Sequence, residues 1–274
     1  MSEEERHSPH SRVLPIKGRG DAIASNGQML DLWLVDLISG ASVLVNFARE
    51  LDLIPLAEPA ITPHGTARAA LRILLAGHVG LDVARQPFVI APGGKPSLAG
   101  AASPPVEFSL AHGDTAAIVV ISRDGPVGID LEEPRSVRLA DDRRAALIAA
   151  AASLAPETPL PDGPGDARFL QAWTRLEALA KATGEGLGPL LERVRRDGSP
   201  VARTAISGHP VHVRDVRVRS SLAVYAAVAG TSASLASSPA PEAMPLPLDR
   251  TWLEQWLSGD PSSPQRADPP SSKI

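Results

Sequence analysis

The stretch GIDLE, residues 128–132, decides the fold because it places two acidic side chains at the end of an apolar run. The run predicts a strand from Pro126 to Leu131. Within a strand, Asp130 and Glu132 point to the same face, since side chains two residues apart share a side. Two like charges on one face repel each other unless a cation lies between them. The stretch therefore indicates either a solvated surface pair or one half of a cation site.

A second stretch, WTRLEALAK at residues 173–181, has the apolar spacing of a helix that ends near Gly184. Its Glu177 and Lys181 are one helical turn apart on a common face, which is also the spacing of an ordinary surface salt bridge. If this helix packs beside the strand end, three carboxylates and one lysine converge. Mg²⁺ prefers hard oxygen ligands and shares them with phosphates. The two stretches together predict a magnesium site that faces a phosphorylated substrate.

The remaining pattern predicts two similar halves. The predicted strands are residues 28–37, 88–91, 106–110, 116–122, 126–131, 191–196, 211–218 and 223–229, and the predicted helices are residues 66–77, 137–154 and 173–181. Gly77 is the expected helix stop, and Asp124-Gly125 predicts a hairpin turn that joins the strands on either side of it. We therefore expect an α+β fold of two lobes with the active site in the cleft between them.

The predicted boundaries are a disordered N-terminal segment (1–27), an N-terminal lobe (28–123), a C-terminal lobe (124–236) and a tail rich in Pro and Ser (237–274). Within the tail, residues 249–257 have the pattern of a short amphipathic helix that Asp249 or Thr251 caps. We expect Trp252 and Trp256 of this helix to dock on the protein's own surface. The alternative is that they bind a partner.

Composition excludes several classes of protein. The 274 residues are 43% hydrophobic and contain no cysteine, which rules out disulfides and thiolate metal sites. The formal net charge of −4 argues against a general nucleic-acid binder. The charged start MSEEERHSPH lacks the apolar region of a secretory signal, and no apolar run is long enough to span a bilayer. We expect a soluble, cytoplasmic protein.

In their order along the chain, these stretches and three further blocks resemble the 4′-phosphopantetheinyl transferases of the Sfp type. The further blocks are the turn Gly94-Lys95-Pro96, the stretch FSLAH at residues 108–112, and the helix with Arg68 and Arg72. The resemblance extends from about Leu30 to Gly230. It implies a pseudo-twofold pair of lobes, each a helix packed on an antiparallel sheet, with coenzyme A bound between them.

The implied reaction transfers the 4′-phosphopantetheine arm of coenzyme A to a serine of an acyl or peptidyl carrier protein and releases 3′,5′-ADP. The resemblance assigns Mg²⁺ to Asp130, Glu132 and Glu177. Glu177, or a water bound to the metal, would accept the serine proton, and Lys181 would stabilise the leaving group. The coenzyme would be bound by Arg68, Gly94, Lys95, Pro96 and His112. Because two lobes in one chain form a complete site, we expect a monomer.

Some positions differ from the family pattern. Leu176 stands where the family has Lys, and Ala111 and Asp114 replace residues that usually carry hydroxyl groups. These departures motivate an alternative, a non-catalytic relative that binds coenzyme A or a carrier protein. A second, less favoured alternative is a Mg²⁺-dependent phosphohydrolase built on the same carboxylates. We expect Arg72, together with Glu133, Arg135 and Arg138, to lie on the solvated surface.

Overall fold

The computed structural model describes residues 30–55, 61–99, 105–162, 166–197, 205–206, 208–218, 220–237 and 240–258. In these ranges the strands are β1 (Leu30–Asp36), β2 (Phe88–Ile90), β3 (Pro96–Leu98), β4 (Glu107–His112), β5 (Ala116–Ser122), β6 (Val127–Glu132), β7 (Ala205–Ile206), β8 (His209–Pro210), β9 (His212–Asp215), β10 (Arg217–Val218), β11 (Tyr225–Gly230) and β12 (Glu242–Pro245). The helices are α1 (Ala41–Glu50), α2 (Pro63–Val79), α3 (Leu81–Ala84), α4 (Asp141–Ala152), α5 (Asp166–Thr183), α6 (Leu187–Asp197), α7 (Ala233–Ser237) and α8 (Arg250–Ser258). The N-terminal segment 1–27, which the sequence predicts to be disordered, lies outside the described residues.

Two sheets form the centre of the molecule. The larger has the strand order β10-β12-β1-β5-β4, and the smaller has the order β6-β11-β9. Strands β1, β5 and β4 run antiparallel, as do β6, β11 and β9, while β12 lies parallel to β1. The predicted α+β class with antiparallel sheets is confirmed.

The hydrophobic core has three parts, one on the outer side of each sheet and one between the two sheets. One lies between helices α1, α2 and α8 and the larger sheet, and another lies between helices α4, α5 and α6 and the smaller sheet. The third lies between the two sheets, where Ile118 and Val120 of β5 belong to the same apolar cluster as Ile129 of β6. A helix layer therefore covers the outer face of each sheet, and the inner faces pack against each other. The predicted boundary between the lobes, at residues 123 and 124, stays a prediction. Strands β10 and β12 follow this boundary in the sequence but belong to the larger sheet.

The hairpin predicted at Asp124-Gly125 is wrong. Strand β6 does not pair with β5; it leaves the larger sheet and pairs with β11, from Val127 opposite Gly230 to Glu132 opposite Tyr225. The apolar residues of β6 are buried between the sheets, so crossing to the second sheet covers both faces of the strand. The turn dipeptide alone does not reveal this change of sheet.

Two further predictions about elements are wrong. Residues 191–196 belong to α6, in which Leu190 and Val194 are buried four residues apart on one face. Helix α2 continues through Gly77 and ends at Gly80, whose φ of 83° is the left-handed conformation that glycine adopts readily. Gly77 has a packing role instead, because a Cβ atom there would lie 2.0 Å from the indole nitrogen of Trp256.

Helix α8 packs against the protein's own surface. The prediction that its tryptophans dock there is confirmed. Trp252 and Trp256 are buried, their rings stack on each other, and both meet the ring of Trp33 edge to face. The Asp249 carboxylate accepts a hydrogen bond from the Trp252 backbone N–H at 2.9 Å, so Asp249 caps the helix. None of the described helices is long and apolar enough to cross a membrane.

Candidate active site

A cavity of about 1180 Å³ opens between the α2 side of the molecule and the α5 side. Its wall combines apolar residues with several cationic ones. The charged residues and histidines of the wall are Asp52, His64, Arg68, Arg72, Arg85, Lys95, His112, Glu177 and Lys181. Five cations face two carboxylates there, so the cavity favours an anionic ligand.

All five residues that the resemblance assigns to coenzyme binding line this cavity: Arg68, Gly94, Lys95, Pro96 and His112. Arg68 projects from α2, and His112 is the last residue of β4. The Lys95 ammonium is 3.0 Å from a carboxylate oxygen of Glu107. The structure brings these side chains together; their role in coenzyme binding stays a prediction.

The turn that carries Lys95 is shaped by glycines. Gly94 has a φ of 84°, and its N–H donates to the Ala91 carbonyl at 2.8 Å. A Cβ atom on Gly93 would lie only 1.7 Å from the carbonyl oxygen of Gly184, at the end of α5. The absence of a side chain at Gly93 therefore allows this turn to close against the α5 side of the cavity.

Arg72 is not on the solvated surface, and that prediction is wrong. Its side chain is buried, donates hydrogen bonds to the backbone carbonyls of Ala84 and Gln86, and lies 3.6 Å above the Phe88 ring. Phe88 itself lines the cavity. Arg72 thus fixes the loop that forms one wall.

A second, smaller cavity of about 450 Å³ adjoins the first and is mainly acidic. The three predicted metal ligands, Asp130, Glu132 and Glu177, line it together with Lys181. Helix α5 packs on β6 so closely that a Cβ atom on Gly128 would lie 2.2 Å from the Ala178 carbonyl oxygen. The strand end and the helix face meet as the sequence predicts.

Lys181 is the nearest cation to the buried carboxylate. Its ammonium lies 2.7 Å from Asp130 Oδ1 and 3.9 Å from Glu177 Oε2. Burial raises the pKa of Asp130 to about 8, because the neighbouring Lys181 only partly offsets the loss of solvent and Glu177 adds to the rise. An added cation at this site would favour the ionised carboxylate.

The neighbouring carboxylates have different partners. Glu132 receives two hydrogen bonds from Arg135, at 2.9 and 3.0 Å. Glu133, predicted to be solvated, instead accepts bonds from the N–H and hydroxyl of Thr115 and from the N–H of Ala116. Burial alone would raise the pKa of Glu133, but these hydrogen bonds outweigh it and lower the pKa. Glu133 therefore holds the β4–β5 turn while it remains half-buried.

The donor set fits Mg²⁺ in chemistry, since it consists of hard carboxylate oxygens. Asp130 Oδ2 is buried and has no hydrogen-bond partner in the described part of the chain, as an oxygen reserved for a cation would. Among the described residues, no three histidine, aspartate or glutamate side chains are already arranged to hold an ion. The assignment of Mg²⁺ to Asp130, Glu132 and Glu177 stays a prediction.

Leu176, which stands where the family has Lys, lies in the core of the protein. Leu176 is fully buried in the core between α5 and the smaller sheet. Leu176 lines neither of the two cavities.

Two cavity residues were missed by the sequence analysis. His64 is the second residue of α2, and its ring lies against that of His112. Arg85 lies just after α3 and donates to the Leu51 carbonyl at 3.0 Å. Neither residue is part of a pattern that indicates a site, and only the folding of distant segments brings them to the cavity.

The site is thus a cavity lined by cations beside one lined by carboxylates, and comparisons with known proteins point to one class. Residues 126–221 match the 4′-phosphopantetheinyl transferase superfamily. The matched span contains Asp130, Glu132, Glu177 and Lys181 of the acidic cavity and excludes the five predicted coenzyme-binding residues.

One relative is a protein of Synechocystis sp. named "Putative 4'-phosphopantetheinyl transferase". It is 32% identical over 141 residues, which are 48% of this chain and 53% of the relative. The chain thus spans about half the length of this curated relative. The name of this relative and the superfamily matched by residues 126–221 indicate the same class of protein.

Proposed function

We propose that this protein is a Mg²⁺-dependent 4′-phosphopantetheinyl transferase. It would transfer the phosphopantetheine arm of coenzyme A to a serine hydroxyl of an acyl or peptidyl carrier protein and release 3′,5′-ADP. The matched superfamily and the relative support the class of reaction. The charges of the two adjoining cavities support the chemistry.

One observation carries the proposal: Glu177, Lys181 and His112 line both cavities. The large cavity has the volume and positive charge for a phosphorylated nucleotide, and the small one supplies carboxylates. A phosphate group at their junction would lie between the cations of one cavity and the carboxylates of the other. That is the arrangement needed to transfer a phosphoryl-linked group.

In the proposed mechanism, Glu177 accepts the proton of the attacking serine hydroxyl. Its side chain is 27% exposed, so solvent and an incoming hydroxyl can reach it. Lys181 is 33% exposed and places a positive charge beside Glu177, where it would stabilise the charge that develops on the leaving phosphate. Arg68, Lys95 and His112 would orient the nucleotide, with the glycines of the turn allowing close approach of its backbone.

Mg²⁺, held by Asp130, Glu132 and Glu177, would supply neutralisation of the pyrophosphate charge. Asp130 suits this role because it is buried and its Oδ2 atom has no hydrogen-bond partner among the described residues. Before a cation is bound, Lys181 partly balances that carboxylate. Displacing Lys181 from Asp130 would release its ammonium toward the substrate phosphate.

The test is mass spectrometry of an intact apo carrier protein after incubation with the parent protein, coenzyme A and Mg²⁺. We expect a mass gain of one phosphopantetheine arm that depends on the metal. Glu177→Gln should lower the transfer rate by about 10² to 10⁴, the usual contribution of a general base. Glu192→Gln is the matched control, because Glu192 lies on α6, is exposed and pairs with Arg195.

Transfer by Glu177→Gln at the parent rate would overturn the catalytic assignment. Binding of coenzyme A without transfer to any of several carriers would favour the non-catalytic alternative. Hydrolysis of the pyrophosphate without a carrier would favour the phosphohydrolase. The three outcomes are separated by measuring bound coenzyme, released 3′,5′-ADP and carrier mass in one reaction.

A further inference from the structure

The strap, residues 91–95 between β2 and β3, reaches from the α2 side of the large cavity to its α5 side. Gly93, Gly94 and Lys95 of the strap line the cavity, and so do Gly184 and Gly186 just after α5. The two segments are in backbone contact, because a Cβ atom on Gly93 would lie 1.7 Å from the Gly184 carbonyl oxygen. While they touch, nothing can pass between them at this point.

The strap is anchored at its base and exposed along its tip. Among the described strands, β2 and β3 pair only with each other. At the base, the rings of Phe88 and Phe108 are 5.1 Å apart, and the Lys95 ammonium is 3.0 Å from Glu107. Residues 91–94 are exposed, and the backbone hydrogen bonds described for them stay within the turn. A segment with few contacts of this kind opens at a small cost in free energy.

The loop that receives the strap is held more firmly. The Gly184 N–H donates to the Ala180 carbonyl at 3.0 Å, which continues the hydrogen bonding of α5. The Glu185 carboxylate accepts hydrogen bonds from both terminal nitrogens of Arg193 on α6. Gly184 and Gly186 have φ angles of 70° and 83°, which glycine adopts readily. The Gly184 carbonyl is therefore a fixed seat, and the strap is the part that can move.

We propose that the strap opens to admit coenzyme A and to release 3′,5′-ADP, and that it closes over either ligand by seating on Gly184. Gly93 is then a positioning residue, whose lack of a side chain permits closure. Opening removes the backbone of Gly93 and Gly94 from the ligand, while Lys95 stays beside Glu107 at the base. This inference rests on the proposed function, because that function supplies the two ligands.

The first test compares the exchange kinetics of coenzyme A on the parent protein and on Gly93→Ala by surface plasmon resonance. Real Cβ atoms essentially never approach another atom as closely as 1.7 Å, so the alanine keeps the strap off Gly184. Dissociation should become about tenfold faster, since the loss of contacts to a bound ligand is seen mainly in that rate constant. Association should also become faster, because no closed strap has to open first.

The matched control is Gly188→Ala. Gly188 lies on α6, a Cβ atom there would meet nothing within 4 Å, and the residue does not line the cavity. Both rate constants of this variant should equal those of the parent. The melting temperature of Gly93→Ala should also stay near that of the parent, because residues 91–94 are exposed.

The second test ties the strap down with a disulfide. The chain contains no cysteine, so the double variant Gly93→Cys with Glu185→Cys can form only one disulfide within the molecule. A Cβ atom on Gly93 would lie 3.6 Å from the carbonyl carbon of Glu185, which brings the two positions within disulfide range. Mass spectrometry verifies the bond, and the single variant Glu185→Cys controls for loss of the contact with Arg193.

The ligand for this variant is 3′,5′-ADP, which has no thiol that could exchange with the disulfide. The oxidised form should bind and release it at least about tenfold more slowly than the reduced form, because the tethered strap cannot lift. A phosphine reductant should restore the fast rates. The reduced form should behave like Gly93→Ala, since a cysteine side chain also prevents seating on Gly184.

Equal dissociation rates for Gly93→Ala and the parent would overturn the inference. So would faster dissociation with unchanged or slower association, because that result indicates a distorted cavity wall and no gate. Equal exchange by the oxidised and reduced double variant would overturn it as well. In each case transfer to a carrier by the parent would leave the proposed function standing. A parent protein that binds neither coenzyme A nor 3′,5′-ADP would refute the proposed function, and the inference with it.

Discussion

Helices α2 and α5 occupy equivalent places on opposite sides of the molecule, yet they are anchored differently. Each packs on the outer face of its own sheet, each presents charged side chains to the large cavity, and each buries one arginine. In α2 that arginine is Arg72, which binds backbone carbonyls. In α5 it is Arg175, which binds a carboxylate.

The partner determines what each arginine holds. Arg175 donates to both carboxylate oxygens of Asp215 on β9, at 2.7 and 2.6 Å, and to the Thr158 carbonyl. It therefore ties α5 to the edge of its sheet. Arg72 ties α2 to the loop before β2, so its anchor is also a wall of the cavity. The comparison teaches that Arg175 fixes α5 to its own sheet, whereas Arg72 fixes α2 to a loop that forms part of the cavity wall.

The largest effect is expected from breaking the α5 anchor. Arg175→Met leaves the Asp215 carboxylate without its charged partner in a mostly buried place, which should lower the free energy of unfolding by about 3–5 kcal/mol. Urea denaturation measures the loss. The control is Arg195→Met, whose pair with Glu192 is exposed to solvent and should contribute little to stability.

The double variant Arg175→Met with Asp215→Leu checks the explanation. It removes both charges, so much of the lost stability should return. If the double variant is as unstable as Arg175→Met alone, the unpaired carboxylate is not the cause. If Arg175→Met and Arg195→Met lower the free energy of unfolding equally, burial of the Arg175 ion pair does not make it more important for stability than the exposed pair.

A smaller effect on stability, with an added effect on binding, is expected on the α2 side. Arg72→Met removes the hydrogen bonds to two carbonyls and the contact with Phe88, which should lower the free energy of unfolding by about 2 kcal/mol. Because the loop lines the cavity, coenzyme A affinity should fall as well. Arg175→Met should leave the affinity of the molecules that remain folded nearly unchanged. If Arg72→Met and the parent protein bind coenzyme A with equal affinity, the position of the loop that Arg72 holds does not matter for binding.

The last prediction concerns the buried carboxylate beside α5 and the way stability changes with pH. The folded-state pKa of Asp130 is raised to about 8, so between pH 4 and pH 8 the folded protein retains a proton that the unfolded chain has released. Stability should therefore fall as pH rises through this range. Asp130→Asn lacks the titrating group, so its melting temperature relative to the parent should increase with pH.

Thermal melts with a chelator present at pH 5, 6.5 and 8 measure this trend. Exposed Asp197→Asn serves as the control, because burial plays no comparable part there. A constant difference between Asp130→Asn and parent across the series would show that burial does not raise the Asp130 pKa. Adding Mg²⁺ should reduce the pH dependence of the parent, since a bound cation stabilises the ionised carboxylate.

The strong local patterns of the sequence predicted the parts of the site that depend on local structure. The alternation in β6 predicted that Asp130 and Glu132 share a face, and the spacing in α5 predicted the same for Glu177 and Lys181, whereas the packing of α5 on β6 brings the two sets together. The burial of Arg72 and the partners of Glu133 were missed, because both depend on backbone groups of other segments. Short strands such as β12 carry almost no periodic signal, and tertiary pairing alone determines them.

The helix α6 shows how a local pattern can mislead. Its sequence LLERVRR, residues 190–196, alternates enough to indicate a strand, yet burial of Leu190 and Val194 at helical spacing decides the outcome. His64 illustrates the opposite case, a residue with no local signal that distant packing places beside His112. Sequence reasoning was reliable where neighbours in the chain are also neighbours in space.

The pairing of β12 with β1 has a consequence for synthesis of the protein. Strand β1 is among the first described segments to leave the ribosome, but Trp33 is opposite Met244 and packs against Trp252 and Trp256. Until those late residues emerge, one edge of β1 and the face of Trp33 have no partner, and exposed strand edges promote association with other chains. Translation of the whole larger sheet must therefore be nearly complete before its earliest strand is protected. A nascent chain stalled after β11 should be a substrate for chaperones even though its acidic site has already been synthesised.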